Sequence, residues 1–468
     1  MKNNPPFQAY LILFIPWLLS VFLSSAPSIS YLIAWLGSFF IFYMSLTGKI
    51  KPMPDDLSFA QQLMRPIVIV QIIFAGYMCC TSIFYYLSIM GYDNFQSSGN
   101  YFLVDQAKLE LTAQCQRYYC LGHASFTTGI LLFMNYSSPK KYYVENEKIA
   151  NLLLLIALIS LPVSVIFLRV PGLSQFYFQF NSLSFIAGTL ALAFAIPLKN
   201  VRNTLICLFL YFSNFYQALI SGYKEPIILS ILVLGLLLYP NYKRTVLLIF
   251  VPLLLVVFAF LPTYNHIFRE NAWSEDVDVG EASELALDAA LDQNGGQNET
   301  NWDFLVYRLS EIDMFTKFVQ STPSQINFYG LQLVKQSAIA IVPRLFWPSK
   351  PNTEDLIMER VYNAGVVYKG SQVSAKPAFI VDAYLSGGVL GIFLSLFIYG
   401  AAAQLISIKA EELFGGYTLG TALIFSGLFQ IFWRGMSFEF IVNAVFWSYV
   451  SMFGIFKILK AYNILKEV

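Results

Sequence analysis

Long apolar runs separated by short polar turns recur along most of this chain. A membrane-spanning helix needs about 20 predominantly apolar residues, and about twelve stretches meet or approach that length. The predicted spans cover residues 8–26, 28–47, 66–91, 118–135, 149–168, 181–198, 202–221, 225–239, 245–263, 378–407, 416–434 and 438–459. The pattern predicts an all-α polytopic membrane protein. Residues 1–263 would carry nine spans, 264–377 one large loop, and 378–468 three spans.

The first part of the large loop, residues 274–300, is acidic and poor in aromatic side chains. Such a composition predicts a solvated, partly disordered insertion. In the next part, apolar residues recur every three or four positions, which predicts one amphipathic helix over 301–323. On its other face, Arg308 and Glu311 are spaced to form a surface ion pair.

The third part of the loop contains SAIAIVPRLFWPSKP at 337–351. A helix over 336–347 would be only about 18 Å long, too short to cross a bilayer. We therefore predict a re-entrant or interfacial segment that is stopped by prolines and holds Arg344 and Lys350 at the membrane surface. Cations placed there suit an anionic lipid head group, and ordinary interfacial anchoring explains them equally well.

Composition and charge sorting agree with a membrane protein, since 57% of the residues are hydrophobic and only 12% are charged. Lysine and arginine concentrate in alternate turns, as the positive-inside rule requires. Both termini are then predicted to be cytoplasmic and the loop external. The sequence shows no metal-ligand spacing and no nucleotide or nucleic-acid signature. A disulfide between Cys115 and Cys120 is an open alternative if they face an oxidising compartment.

Ionisable residues near span ends collect on the predicted outer side. They are Lys224 and Glu225 opening the eighth span, Asp382 opening the tenth, Arg434 closing the eleventh and Glu439 opening the twelfth. Charges close to the membrane are costly and often functional. Their shared side predicts an external functional site.

Four segments together resemble the bacterial O-antigen polymerases, also called oligosaccharide repeat unit polymerases. They are SGYKEPIILSILVL at 221–234, YRLSEIDMFTKFV at 307–319, FYGLQLVKQSAIAIVPRLFWPSKP at 328–351 and DAYLSGGVLGIFLSLFIYG at 382–400. Their order and the large loop between them also resemble that family. Where many relatives have arginine after a small residue and glycine, this chain has Lys224, which keeps the charge without the planar fork.

The resemblance implies a GT-C-like, metal-independent glycosyltransferase of the bacterial inner membrane that needs no cofactor. It would join undecaprenyl-pyrophosphate-linked oligosaccharide units into O-antigen, capsule or exopolysaccharide, with membrane lipid and a chain-length regulator as further partners. Cations would stabilise the leaving pyrophosphate, and a carboxylate would accept the proton of the attacking hydroxyl. The expected pyrophosphate ligands are Arg344, Lys350, Lys224, Arg308 and Arg434.

Four carboxylates are candidates for the base: Asp382, Glu439, Glu225 and Asp313. We favour Asp382 because it opens a membrane helix directly after the cationic loop. Two other functions remain open from the sequence. One is an O-antigen ligase that moves a finished chain to another lipid, and the other is a transporter of polysaccharide or lipid-linked oligosaccharide.

Overall fold

The fold is taken from a computed structural model. It describes residues 5–97, 99, 102–136, 140–220, 224–272, 278–291, 297–307, 309, 311–370, 374–433 and 435–468.

The first half of the chain is a series of mostly apolar helices. They are α1 (Phe7–Leu11), α2 (Ile15–Phe22), α3 (Pro27–Leu46), α4 (Pro66–Gln71), α5 (Ile83–Ile89), α6 (Gln106–Phe133), α7 (Asn146–Arg169), α8 (Tyr177–Ala195), α9 (Val201–Ile220), α10 (Lys224–Leu238) and α11 (Lys243–Ala272). A π-helix, Ile72–Cys80, connects α4 to α5. Short 3₁₀ turns occupy Ile12–Phe14, Phe59–Gln62 and Ser174–Phe176.

The large loop is itself helical. It contains α12 (Val279–Leu291), α13 (Gln297–Tyr307), α14 (Ile312–Ser321), α15 (Gln332–Ile341) and α16 (Thr353–Asn363). The chain then forms α17 (Phe379–Phe414), α18 (Tyr417–Phe425), a second π-helix (Ser426–Gln430), α19 (Ile431–Trp433) and α20 (Phe438–Ala461).

Strands play a minor part among the described residues. Antiparallel β1 (Tyr92–Asp93) and β2 (Gln96–Ser97) form a hairpin. β3 (Tyr142–Tyr143) pairs with β4 (Lys466–Glu467) and so ties the carboxyl-terminal tail to the turn before α7. The fold is therefore all-α in architecture, as predicted.

The core lies where α6 packs along α17. At this contact, Gly129 lies against Phe397 and Ala401, while a Cβ on Gly400 would come within 2.2 Å of the Phe126 carbonyl oxygen. Close approach of small residues is common between membrane helices.

Eight helices in the described part of the chain are long and apolar enough to cross a membrane: Pro27–Leu46, Pro66–Ile89, Lys148–Arg169, Ser174–Ala195, Val201–Ile220, Lys243–Ala272, Phe379–Phe414 and Phe438–Ala461. Phe7–Phe22 and Ile227–Leu238 are shorter apolar helices. Of the two remaining predicted spans, 118–135 forms the carboxyl half of α6, and 416–434 is divided between α18, the second π-helix and α19. A helical membrane protein is thus supported, while the count of twelve spans remains a prediction.

Two expectations for the loop were wrong. The predicted solvated, partly disordered insertion contains a docked helix at 279–291, because α12 packs on α11 and buries Ala282 and Ala286 against Tyr264 and Phe268. The small apolar alanines, spaced four residues apart, provide a docking face that a composition argument overlooks. Nor is 301–323 one helix, since the chain breaks between α13 and α14 at Glu311, whose φ of 55° is left-handed.

The five cysteines are free thiols in the structure. Cys115 and Cys120 are both buried in α6 and do not form a disulfide.

Candidate functional site

Two buried carboxylates share one buried arginine at the end where α17 and α20 begin. Arg360 Nη1 and Nη2 donate to the two oxygens of Glu439 at 2.8 Å each, and Nη2 also donates to Asp382 Oδ2 at 2.9 Å. Exposure of the three side chains is 1% for Arg360 and 0% for both acids. We call these three residues the Arg360 centre.

Three separate helices supply the members of the centre. Asp382 lies in the first turn of α17 and Glu439 in the first turn of α20. Arg360 lies in the last turn of α16, on the same buried face as Ile357 and Val361. Asn352 is the N-cap of α16, and its side chain accepts a hydrogen bond from the Glu354 backbone N–H. A capped amphipathic helix therefore carries the arginine inward.

The electrostatics of the centre are those of a water-excluded ion cluster. Burial alone would lower the pKa of Arg360, but Asp382 and Glu439 more than offset it, and the pKa is raised above its ordinary value. A buried charge is tolerated only when it is paired and hydrogen-bonded in this way. Arg360 therefore stays protonated and holds both acids.

The two carboxylates differ in how many of their oxygens accept a hydrogen bond. Glu439 has both oxygens on Arg360, whereas Asp382 Oδ2 accepts from Arg360 and from the Phe438 backbone N–H at 2.8 Å. Asp382 Oδ1 is buried and has no hydrogen-bond partner within the described part of the chain. The same holds for Arg360 Nε and Ser437 Oγ. Buried polar atoms are normally satisfied, so these three atoms are unused hydrogen-bonding groups of the centre and its neighbouring turn.

The turn before α20 also lies against the break between α13 and α14. A Cβ added to Gly435 would lie 3.1 Å from a carboxylate oxygen of Glu311, and its φ of 63° already favours glycine. Tyr329 is close to the centre as well. Burial raises the pKa of Tyr329 above its ordinary value, although a hydrogen bond with Asn363 and the charge of Arg360 act in the lowering direction.

Three of the four segments that carry the family resemblance meet here. Tyr384, in the segment 382–400, donates to the Thr322 carbonyl at 2.6 Å and packs edge-on against Phe315 from the segment 307–319. From the segment 328–351, the Tyr329 backbone N–H donates to the Leu385 carbonyl at 2.9 Å. The segment 221–234 is described from residue 224 onward as part of α10.

The helix that carries Asp382 is interrupted one turn further on. Gly387 and Gly388 have non-helical backbone angles, and Gly388 has a φ of 60° with Phe328 packed against it. Ser386 Oγ donates to the Ala383 carbonyl next to this break. These two glycines therefore form a break within the apolar helix that carries Asp382.

The two cations of the 343–351 loop, Arg344 and Lys350, differ in their burial and in their hydrogen-bond partners. Lys350 points inward, where its Nζ donates to the carbonyls of Ala340 and Val342 at 2.9 and 2.8 Å. Burial, followed by the charge of Arg344, lowers the pKa of Lys350. Lys350 therefore caps the carboxyl end of α15 and is not presented at the surface as we expected. Arg344 is half-buried and makes a long contact of 3.4 Å to the Pro351 carbonyl.

Several predicted site residues are not placed. Arg308, Arg434 and the side chains of Lys224 and Glu225 lie outside the described residues. Asp313 is placed in the first turn of α14, where it accepts from the Tyr85 hydroxyl at 2.8 Å and lies 3.7 Å from Lys317. The structure therefore unites Asp382 with Glu439 and leaves Asp313 in a separate, partly exposed cluster.

Arg360 was not among the site residues predicted from the sequence. The signal that could have found it is an arginine on the apolar face of α16, at i+3 from Ile357 and next to Val361. Among the described residues, no group of three or more His, Cys, Asp or Glu side chains is arranged to hold a metal ion.

Fold and site together define a helical membrane protein with a buried arginine–carboxylate centre. The chain belongs to the family described as domain of unknown function (DUF8712), whose model matches residues 15–467. No curated protein and no solved structure matches it.

Proposed function

We propose that this protein is a membrane glycosyltransferase that polymerises lipid-pyrophosphate-linked oligosaccharide units at the external face of a bacterial inner membrane. The observation that carries the proposal is Asp382 Oδ1, a buried carboxylate oxygen without a described partner, beside an arginine that remains charged. It lies where three segments resembling O-antigen polymerases converge. Both termini would be cytoplasmic.

In the proposed reaction, an acceptor sugar hydroxyl attacks the anomeric carbon of the donor unit. A new C–O bond forms, and the bond to pyrophosphate breaks with its electron pair leaving on the phosphate oxygen. The hydroxyl proton passes to Asp382 Oδ1, which acts as general base. Arg360 and the Phe438 backbone N–H donate to Asp382 Oδ2 and position the carboxylate, and Glu439 in turn holds Arg360, so Oδ1 is left available.

Stabilisation of the leaving pyrophosphate requires cations at the external surface. Arg344 is partly exposed on its loop and fits this role, and Lys224, Arg308 and Arg434 remain candidates from the resemblance. Lys350 is not available to bind pyrophosphate, because its ammonium group already donates to two backbone carbonyls.

The experiment is a mass-spectrometric comparison of lipid-linked sugars in cells with and without the gene. Loss of a polymerase leaves single repeat units on the lipid and removes the longer ones. Re-expression of wild-type protein or of Asp355→Asn, an exposed acid in α16, should restore the longer chains, whereas Asp382→Asn should not. Long lipid-linked chains that accumulate without the gene would instead identify a ligase.

The break at Gly387 and Gly388 favours transport of a lipid-linked sugar as a second candidate function, since transporters bind substrates at interrupted membrane helices. Cells that lack the gene distinguish a transporter from a polymerase. In a transporter deletion, single units accumulate in the inner leaflet and are protected from an impermeant oxidant such as periodate applied to spheroplasts. In a polymerase deletion they accumulate outside and are oxidised.

A further inference from the structure

One residue at the start of α14 has a backbone conformation that its place in the helix does not require. Glu311 is the N-cap of α14, and its φ of 55° and ψ of 14° are left-handed. An N-cap residue normally adopts an extended conformation, from which its side chain accepts a hydrogen bond from the first turn. Glu311 makes no side-chain capping bond. The left-handed conformation therefore does not serve the helix.

The other left-handed residues apart from glycine, in the part of the chain that the structure describes, are explained by their local turns. Asn94 and Phe95 form the turn of the β1–β2 hairpin. Lys199 follows the end of α8, and Asn463 follows the end of α20. Hairpin turns and the carboxyl ends of helices regularly use left-handed residues. Glu311 has neither explanation, because it opens a helix.

The backbone at Glu311 is strained, since a left-handed conformation is unfavourable for any residue with a Cβ. Glycine would adopt the same conformation without this penalty. Strained residues of this kind cluster at active sites, where the surrounding structure holds them in place. A charged side chain at such a position indicates that the carboxylate itself is needed there.

The Glu311 carboxylate packs against the turn that leads into α20. A Cβ added to Gly435 would lie 3.1 and 3.4 Å from the two carboxylate oxygens of Glu311. Gly435 has a φ of 63° and is itself left-handed. A side chain at position 435 would therefore be strained and would displace the carboxylate. The two left-handed residues together create the space in which the Glu311 carboxylate lies.

The same turn holds the proposed base. The Phe438 backbone N–H donates to Asp382 Oδ2 at 2.8 Å, and Phe438 is three residues after Gly435. Three residues span at most about 11 Å, so Glu311 and Asp382 both contact one short turn. They differ in their exposure, because Asp382 is fully buried, whereas Glu311 remains partly exposed.

An aromatic cluster fixes α14 against the helix that carries the base. Phe315 is buried and packs against Tyr118 and Tyr119 of α6 and against Tyr384 of α17. Tyr384 is two residues after Asp382, so one set of ring contacts positions both carboxylate-bearing elements. A charged group held on a rigid element stabilises a transition state without reorganising as the reaction occurs.

The proposed glycosyl transfer creates a charge that suits a second carboxylate. As the bond between the anomeric carbon and pyrophosphate breaks, the donor sugar acquires oxocarbenium character, as it does in glycoside hydrolysis. A carboxylate beside the anomeric carbon attracts this positive charge more strongly in the transition state than in the ground state. Such differential stabilisation lowers the barrier to reaction.

We propose that Glu311 is a second catalytic carboxylate, which contacts the donor sugar and stabilises the positive charge at its anomeric carbon. This role rests on the proposed function, in which Asp382 accepts the proton of the acceptor hydroxyl. The acceptor oxygen supplies the electron pair of the new C–O bond, and the pair of the breaking bond leaves on the pyrophosphate oxygen. Glu311 stays ionised throughout and forms no covalent bond.

Chain extension by purified protein in liposomes, with a lipid-pyrophosphate-linked oligosaccharide from its own cells as donor, tests the proposal. Glu311→Gln keeps the shape of the side chain and removes its charge. We expect its kcat to fall by about 100-fold or more, with a KM for the donor close to that of wild type, because the lost interaction is made in the transition state. Lys199→Gly changes another left-handed residue, exposed after α8, and should keep wild-type kinetics.

Glu311→Gly distinguishes a catalytic role from a structural one. Glycine relieves the left-handed strain, so this variant should unfold no more readily than wild type when the detergent mixture is made denaturing. It should nevertheless be as slow in chain extension as Glu311→Gln. A carboxylate that only held the fold together would give the opposite result, in which stability and activity are lost in parallel.

The possible failures of this experiment are distinguishable. Wild-type kinetics in Glu311→Gln or in Glu311→Gly, a loss confined to KM, or a loss of activity matched by unfolding of Glu311→Gly would overturn the role of Glu311 and leave the proposed function in place. No extension by the wild-type protein would refute the proposed function and the role of Glu311 with it.

Discussion

Replacing Arg360 with methionine removes the one cation that holds two fully buried carboxylates. Three charge-assisted hydrogen bonds of 2.8 to 2.9 Å are lost at once, and the remaining partner of Asp382 is the Phe438 backbone N–H. Breaking a buried ion pair by removing one partner costs about 3–5 kcal/mol. At about 1.4 kcal/mol per factor of ten, the unfolding equilibrium of Arg360→Met should shift by roughly 150- to 5,000-fold.

Reversible unfolding of purified protein, followed by tryptophan fluorescence as the detergent mixture is made denaturing, measures this change. Glu359→Gln alters an exposed neighbour in α16 and should stay within about 0.5 kcal/mol of wild type. Arg360→Met combined with Asp382→Asn and Glu439→Gln removes all the charges together, and should recover much of the lost stability, since an uncharged cluster needs no counter-ion. If Arg360→Met alone costs less than about 1 kcal/mol, the centre is not the tightly paired cluster described above.

Three further predictions use the same protein. Lys350→Met should cost about 1–3 kcal/mol of unfolding free energy because the Ala340 and Val342 carbonyls lose their donor, whereas Arg344→Ala should change it little; equal effects would contradict the capping role. Ala286→Trp should destabilise by about 1–3 kcal/mol through overpacking against α11, whereas Leu287→Trp, on the exposed face, should be tolerated; no difference between the two would show that α12 does not dock. In a cysteine-free background, an impermeant thiol reagent on intact spheroplasts should label Glu284→Cys and spare Lys49→Cys, and the reverse result would invert the topology.

The membrane class and part of the site could be predicted from sequence because both depend on local pattern. Apolar runs of span length predict helices whatever their partners, and Asp382 and Glu439 stood out because each opens such a run. Their meeting through Arg360 could not be predicted, since it depends on how α16 folds back over the helix ends. Arg360 lies among Glu354, Asp355 and Glu359, where nothing except its helical face distinguishes it from a surface residue.

Lys350 shows the opposite error. A lysine on a proline-rich aromatic loop has the same sequence pattern whether its ammonium faces lipid head groups or the end of a helix. The ammonium group of Lys350 faces the helix end because α15 ends at Ile341 and its last carbonyls have no donor within the helix. The chain also satisfies one of them with Trp447, whose indole N–H donates to Ile341 at 2.9 Å. Such distant pairings are set by packing rather than by neighbouring residues.

The most direct test of the proposed function is chain extension by purified protein in liposomes supplied with a lipid-pyrophosphate-linked oligosaccharide. The wild-type protein and Asp355→Asn should lengthen the lipid-linked chain, as seen by mass spectrometry. Asp382→Asn, folded to the same extent, should be slower by about 100-fold or more, which is the usual contribution of a general base. Extension by Asp382→Asn at the wild-type rate, or no extension by the wild-type protein with a donor from its own cells, would contradict the assignment of a glycosyltransferase centred on Asp382.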